Sequence, residues 1–256
     1  RYIGDWSSDV CSSDLVELVK SSLNTFLNAF TFPDKTMYPC ASQNDKDFKN
    51  LMSVYMDAVF YPQIYNHEEI FLQEGWRYDI KKPEDEIKIN GVVYNEMKGA
   101  FSDPQQILLR VIMHSLYPDT PYGFESGGDP KYIPDLSYDE FLKFHSEFYH
   151  PSNSYILIYG DCDMSERMDW LDKEYLANFE YNAFNTSIPY QVPFNTPRVV
   201  NEYYQVDKST PLENKTFFSY NVSFPTTLEP KLMLAMGILT DRKSTRLNSS
   251  HRCISY

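Results

Sequence analysis

The chain has no surplus of positive charge: 23 Lys and Arg stand against 36 Asp and Glu, for a net charge of -13. Nucleic-acid phosphates are held by basic surfaces, so no nucleic-acid partner is expected. The acidic balance suits a basic peptide, although many soluble proteins share it. No apolar run approaches the roughly 20 residues of a membrane-spanning helix, and nothing resembles a signal peptide, so no membrane partner is expected either. The four cysteines, Cys11, Cys40, Cys162 and Cys253, form no CxxC and no disulfide framework, which favours a reducing compartment. GxSxG, the P-loop and GxGxxG are missing, and Gly123, Gly127 and Gly128 sit in a loop with no strand before it. Neither HExxH nor HxxEH occurs. His145 and His150 are five apart with a helix break between them, and two ligands on one helix face need a spacing of three or four. With His67 and His114 they read as structural or surface groups.

What the chain does have is aromatic bulk, with 21 Tyr and 17 Phe in 256 residues, enough for one large core or two smaller ones. Its ends stand apart. Residues 1–15 are rich in Ser and Asp and carry no sustained periodicity. Residues 242–256 hold four basic residues and no acidic one. Both strings resemble translated sequencing-adapter read-through, with disordered tails as the alternative, and both are set aside from the fold together with Cys11, Cys253 and His251.

Between them the pattern alternates. Val16 to about Leu23 reads as a short amphipathic helix. Asn24 to Ser42 holds two β-prone runs around the Pro33-Asp34-Lys35 turn, a hairpin. Asn44 caps a helix whose stripe is Phe48, Leu51, Met52, Tyr55, Met56 and Val59, ending near Tyr61-Pro62. Helix is predicted again over Glu68 to Trp76, and strands over Arg77 to Ile80 and Glu86 to Ile89. Asp103-Pro104 opens a helix with Ile107, Leu108, Val111, Ile112 and Leu116 on its apolar face. Tyr117 to Asp135, rich in Pro and Gly, is predicted to be an ordered loop. Ser137 with Glu140 forms a capping box for a helix through Phe148. Ser154 to Tyr159 (SYILIY) reads as a buried strand and Met164 to Phe179 as a helix. Glu180 to Pro197 is irregular. Val199 to Val206 and Thr216 to Phe224 read as strands, and Thr226 to about Thr240 as a helix. The class is α+β, with helices packed on a mostly antiparallel sheet.

One stretch organises the rest: Asn90 to Pro104, NGVVYNEMKGAFSDP. After the Asn90-Gly91 turn, a helical period of about 100° per residue groups Val93, Met97, Ala100 and Phe101 on one face. Glu96 falls at the border of that face, with Asn95 and Lys98 turned away. A carboxylate at a buried rim must be paired, protonated or bound to a metal, because a lone charge is costly to desolvate. Pairing with a base or reaching water is the plainer alternative.

SLNTFLNAFTFPDKTMYPCAS (Ser22 to Ser42), QEGWRYDI (Gln73 to Ile80), the Asn90 to Pro104 stretch, PDTPYGFESGGDP (Pro118 to Pro130) and FHSEFYHPSNSYILIYGD (Phe144 to Asp161) together resemble the pitrilysin/insulinase superfamily of zinc metallopeptidases, in its presequence-protease branch. The resemblance runs from Val16 to about Asp241. It implies a pitrilysin/mitochondrial-processing-peptidase-like fold, with residues 16–180 as a first αβ domain incomplete at its N-terminus. Residues 181–198 would be a linker and 199–241 the start of a second, truncated domain.

In that family two histidines and a glutamate base of an HxxEH helix are joined by a distal glutamate, and Glu96 in YNEMKG matches the distal ligand. Three protein ligands leave one zinc position for water. This chain has no HxxEH, so the polypeptide as given is expected to be inactive, with zinc held only in a complete parent. Asn28, Ala29, Phe30 and Thr31 match the family's edge strand, which pairs with an extended peptide through backbone hydrogen bonds and so favours unfolded oligopeptides. The implied partners are that peptide and a C-terminal half of the same chain. A cytoplasmic, bacterial-type parent is expected, or an organellar one if a transit peptide was lost. The alternative is a non-catalytic partner or homologous half that holds a peptide or subunit by edge pairing. A misassembled domain without activity is a third reading.

Overall fold

The structure, a computed structural model, describes residues 23–223 and 229–244. The helix expected over 16–23 lies outside the described residues except for Leu23. Between Val199 and Val200 the chain divides into two compact units.

The first unit begins with a hairpin in two stages. Strand β1 (Asn24–Leu27) pairs antiparallel with β4 (Cys40–Ser42), and β2 (Phe30–Thr31) with β3 (Thr36–Met37). The predicted Pro33-Asp34-Lys35 turn closes it, with the Phe32 N–H donating to the Lys35 carbonyl at 2.8 Å. Helix α1 (Asp45–Phe60) follows, its Asn44 cap accepting from the Asp47 N–H. Then come α2 (Glu68–Glu74) and a second antiparallel pair, β5 (Arg77–Asp79) with β6 (Lys88–Asn90). Helix α3 (Val92–Ala100) carries Glu96, and α4 (Pro104–Leu116) starts at an Asp103 cap with Pro at its first position. The 117–135 loop is tightened by single 3-10 turns at Pro121–Gly123 and Ile133–Asp135. Helix α5 (Tyr138–Phe148) opens with the predicted Ser137–Glu140 capping box, and α6 (Met164–Glu174) with an Asp163 cap.

Two packing centres hold these helices. In the first, Ile64, Phe71, Val93, Met97, Ile133, Leu136 and Phe141 form one buried cluster. The Trp76 indole N–H reaches the Leu136 carbonyl at 2.9 Å, and the Tyr138 hydroxyl donates to the Ile64 carbonyl. In the second, α1 lies against α6. Buried Tyr175 donates to Asp57 Oδ1 at 2.9 Å, and the buried Arg167 guanidinium binds Asp45 Oδ1. Nε and Nη1 of Arg167 have no hydrogen-bond partner among the described residues.

Helices and caps follow the sequence; three strands do not. Residues 154–159 carry no ladder among the described residues, and Tyr155 and Leu157 are 105% and 92% exposed, not buried. A strand is satisfied only by a neighbour's backbone, so an apolar run states a preference that no described segment completes. The second unit repeats the point. Runs 199–206 and 216–223 form no ladder among the described residues, although the Tyr204 and Phe217 rings sit 5.8 Å apart and the Tyr204 hydroxyl donates to the Lys215 carbonyl. Phe224 lies outside the described residues. The expected terminal helix is present as α7 (Pro230–Ser244). The architecture is therefore helix-rich α+β, and among the described residues the strands form three separate two-stranded antiparallel sheets in place of one larger sheet.

Gly91 at the N-cap of α3 and Gly99 in its last turn are expected to respond in opposite senses. A Cβ at Gly91 would lie 2.1 Å from the Gly75 carbonyl oxygen, whereas at Gly99 it meets nothing within 4 Å. Gly91→Ala should destabilise the unit by about 1–3 kcal/mol or more, and Gly99→Ala should stabilise it by about 0.5–1 kcal/mol. Chemical denaturation of the two variants checks the sign of each. Tyr175 supplies a pH test. Burial, and secondarily its bond to Asp57, pushes its phenol up from 10.0 to about 12. The fold keeps the neutral form, so this stabilisation is complete below pH 10.0 and is lost as the pH rises through about 12. Tyr175→Phe should flatten that alkaline fall in stability.

Candidate metal ligand and peptide edge

Glu96 lies in the second turn of α3, and the helix is fixed on its other side. Val93 and Met97 are buried, and Met97 packs so tightly on the 117–135 loop that a Cβ at Gly127 would sit 2.3 Å from its sulfur. Asn90 fixes the entry to the helix. Its Oδ1 accepts from the Gly91 N–H at 3.0 Å and from Asn95 Nδ2 at 2.6 Å, while its Nδ2 donates to Asp79 Oδ2 at 3.3 Å. The opposite face is open: Asn95, Glu96, Lys98 and Gly99 are all exposed.

This corrects the placement expected for Glu96. The core meets α3 along Val93 and Met97, and at 100° per residue Glu96 is turned far enough from that line to stand clear of it. Its carboxylate is not buried and needs no counterion, so the desolvation argument for a bound metal does not hold. What remains is an exposed carboxylate on a rigid helix, with no hydrogen bond or ion pair among the described residues. Among those residues no group of three or more His, Cys, Asp or Glu could hold a metal ion. The donor set here is one carboxylate, which does not fit a zinc site by itself.

The histidines are engaged elsewhere. His145 is buried; its Nε2–H donates to the Val59 carbonyl at 2.9 Å, which leaves Nδ1 to accept from the Tyr65 hydroxyl at 2.8 Å. His150 Nδ1 accepts from the Ser152 N–H at 3.1 Å, and His114 Nδ1 donates to the Gly123 carbonyl at 3.2 Å. His67 lies 3.9 Å from Glu69 in an exposed pair. Burial pushes the Cys40 thiol up, away from thiolate chemistry. A groove of about 380 Å³ beside Ile156, Met168, Leu176 and Phe179 is mostly apolar, and its lining holds no His, Cys, Asp or Glu.

Asn28 and Ala29 form the bend after β1, and Phe30 and Thr31 are strand β2. Asn28 donates its N–H to the Pro39 carbonyl at 3.2 Å, and its own carbonyl accepts from the Tyr55 hydroxyl at 3.3 Å. Strand alternation then turns Ala29 and Thr31 away from the partner strand, toward the open edge. Phe30 pairs with Met37 across the ladder and is 39% exposed. It belongs to an exposed aromatic row, its ring 6.5 Å from Phe26 and 6.3 Å from Phe32. The Ala29 N–H is already taken, by the Asn28 side-chain oxygen at 2.9 Å. Sequence spacing gave no sign of that local cap. Nor did it show that Tyr122 binds Asp34, or that Asp119 binds Gln191, because these partners lie 88 and 72 residues apart. Glu96 and the edge are on different elements, and nothing among the described residues links them by a hydrogen bond.

A family model described as "Peptidase M16 inactive domain" matches residues 135–252. Protein HypA of Clostridium perfringens is 52% identical over 224 residues, covering 88% of this chain and 23% of that protein. Presequence protease 1, chloroplastic/mitochondrial, of Arabidopsis thaliana is 45% identical, with 88% and 21% covered. The mitochondrial presequence protease of Danio rerio is 42% identical, with 74% and 19% covered. The chain thus spans about a fifth of the length of the curated relatives it matches. Glu96 and the Asn28–Thr31 edge both precede the residues matched by the inactive-domain family.

The Ala29 cap has a direct readout. A net hydrogen bond is worth about 1 kcal/mol, so Asn28→Ala should speed amide exchange at Ala29 by about fivefold and leave the α1 amides unchanged. Equal Ala29 exchange rates in the two proteins would remove the cap.

Proposed function

Because this chain belongs to the pitrilysin/insulinase superfamily of peptidases, we propose that it is part of a zinc-dependent metalloendopeptidase that degrades unfolded oligopeptides. One observation carries the reading. The glutamate of YNEMKG stands exposed on a helix locked from behind by Met97 and Gly127, with no other task among the described residues. In this reading Glu96 is the distal metal ligand, and the remaining ligands and the general base come from outside the described residues. The Asn28–Thr31 edge pairs with an extended substrate, whose side chains meet the row of Phe26, Phe30 and Phe32. Residues 16–180 form the first metallopeptidase-like domain, 181–198 a linker and 199–241 the opening of the next. The division after Val199 supports that partition.

The partners are a peptide and the rest of the same polypeptide. Free Cys40 and Cys162 are compatible with a reducing compartment, cytoplasmic for a bacterial-type parent. Among the described residues no helix is long and apolar enough to cross a membrane. The inactive-domain match favours a non-catalytic role for residues from 135 onward, so the alternative of a peptide-holding partner applies most directly there.

The parent gene decides between the two readings. If the upstream frame encodes HxxEH, the restored protein should cleave a quenched fluorescent peptide and lose that cleavage with a chelator. Glu96→Gln should then lower both zinc content and cleavage, the latter on the order of a hundredfold or more. Full zinc content and activity in the variant would remove Glu96 from the ligand set. An upstream frame without HxxEH would leave the partner reading.

A further inference from the structure

The hairpin that presents Asn28–Thr31 has a short ladder at its tip, where only Phe30 with Met37 and Thr31 with Thr36 are in register. Isolated two-stranded hairpins are marginal in water, so such a tip is prone to fray. A contact from outside the hairpin holds it. The Tyr122 hydroxyl donates to Asp34 Oδ2 at 2.9 Å, while Lys35 Nζ donates to Oδ1 at 3.0 Å. Burial pushes the Asp34 carboxyl up, but the hydrogen bonds from Lys35 and Tyr122 outweigh it and leave the group below its ordinary value.

Tyr122 is well placed to act as an anchor because the turn that carries it is rigid. It lies in the 3-10 turn Pro121–Gly123. The Gly123 carbonyl is held by His114, and a Cβ at Gly123 would sit 2.2 Å from the Tyr117 carbonyl oxygen. Thr120 is 4% exposed and its N–H donates to the same Tyr117 carbonyl at 3.2 Å. Just before the turn, Asp119 makes a two-point clasp with Gln191. Its N–H donates to Gln191 Oε1 at 3.0 Å, and its Oδ2 accepts from Gln191 Nε2 at 2.6 Å. A strap therefore runs from Gln191 through Asp119 and Tyr122 to Asp34 at the hairpin tip.

We propose that Tyr122 is a positioning residue for the Asn28–Thr31 edge, acting through Asp34, and that the Asp119–Gln191 clasp stiffens the loop that carries it. This rests on the reading of that edge as a peptide-pairing strand. A fraying edge must be ordered when a peptide adds to it, and that ordering subtracts from affinity. A tether at the tip removes the cost in advance without touching the peptide.

Amide exchange in the 256-residue chain tests the tether independently of any activity. The Phe32 N–H, bonded to Lys35 across the turn, is the reporter, and the α5 amides are the control for global unfolding. Tyr122→Phe should raise Phe32 exchange about threefold to tenfold, the range for a partly exposed bond to a charged group, with α5 unchanged. Asp119→Ala should raise it less, and the double variant should match Tyr122→Phe alone, since the clasp acts through the phenol. Asp34→Asn, which keeps an oxygen acceptor, should show a smaller rise than Asp34→Ala. Unchanged Phe32 exchange in Tyr122→Phe, or additive effects in the double variant, would overturn the proposal. If Tyr122→Phe also loosens α5, the Asp34→Asn and Asp34→Ala pair decides by the same criterion. Fluorescence anisotropy with a labelled unstructured oligopeptide separates the underlying reading. Weaker binding to Tyr122→Phe by a similar factor supports both. No binding to the unmodified chain removes the peptide edge, while the exchange result still decides the tether.

Discussion

The close contact of Gly91 with the Gly75 carbonyl is the constraint on which the placement of Glu96 depends. Any side chain at Gly91 would collide with the end of α2, so glycine is required for close approach and not for an unusual backbone angle. That contact fixes where α3 begins. It seats Val93 and Met97 against Phe71, Phe141 and Ile133, and turns Glu96 outward. The Tyr94 N–H reaching the Gly75 carbonyl at 3.4 Å, and Asn90 bridging β6 to the helix, repeat the same constraint in hydrogen bonds. The loop after α4 then closes over Met97 through Gly127. A glycine at each of two crossings sets the position of one carboxylate.

What the sequence made legible was local. The Asn44 and Asp103 caps, the Ser137–Glu140 box and the Pro33-Asp34-Lys35 turn are each decided within a few residues, and each is present. The runs 154–159, 199–206 and 216–224 were read from the same kind of pattern, but a strand depends on a neighbour that its own residues do not specify. Ser-Tyr-Ile-Leu-Ile-Tyr says what would fit a sheet and not where the sheet is. The Glu96 error was smaller and has a different origin. A helical wheel gives angle but not how far the core reaches around the helix, and here it meets Val93 and Met97, with Tyr94 and Phe101 packed beside them, and leaves Glu96 exposed.

The site separates in the same way. Glu96 and Asn28–Thr31 were reached through their flanking words, YNEMKG and NAFT, and not through any clustering of ligands. Ligand clustering is a tertiary property, and among the described residues the acidic and histidine side chains do not cluster. The contacts that brace the edge, Tyr122 to Asp34 and Asp119 to Gln191, join segments with no pattern in common. A tyrosine in a Pro/Gly-rich loop reads as bulk until its hydroxyl is seen on a turn aspartate.

Exposure has opposite meanings at the two features. For an acidic side chain proposed to meet a metal, an open face on a well-packed helix is a prepared state, because nothing among the described residues competes for the carboxylate. An open strand edge is a liability, since unpaired N–H groups recruit any extended chain. The fold treats them accordingly. It leaves Glu96 without a partner among the described residues, yet covers the Ala29 N–H with the Asn28 side chain. A short local bond of this kind can be exchanged for a backbone bond to an incoming strand, so the edge is satisfied when alone and, on the proposed reading, open to a peptide. Its outer tip is meanwhile held by Tyr122. Rigidity comes from outside the ladder and exchangeability from within it, a division that suits the peptide-pairing role proposed for this strand.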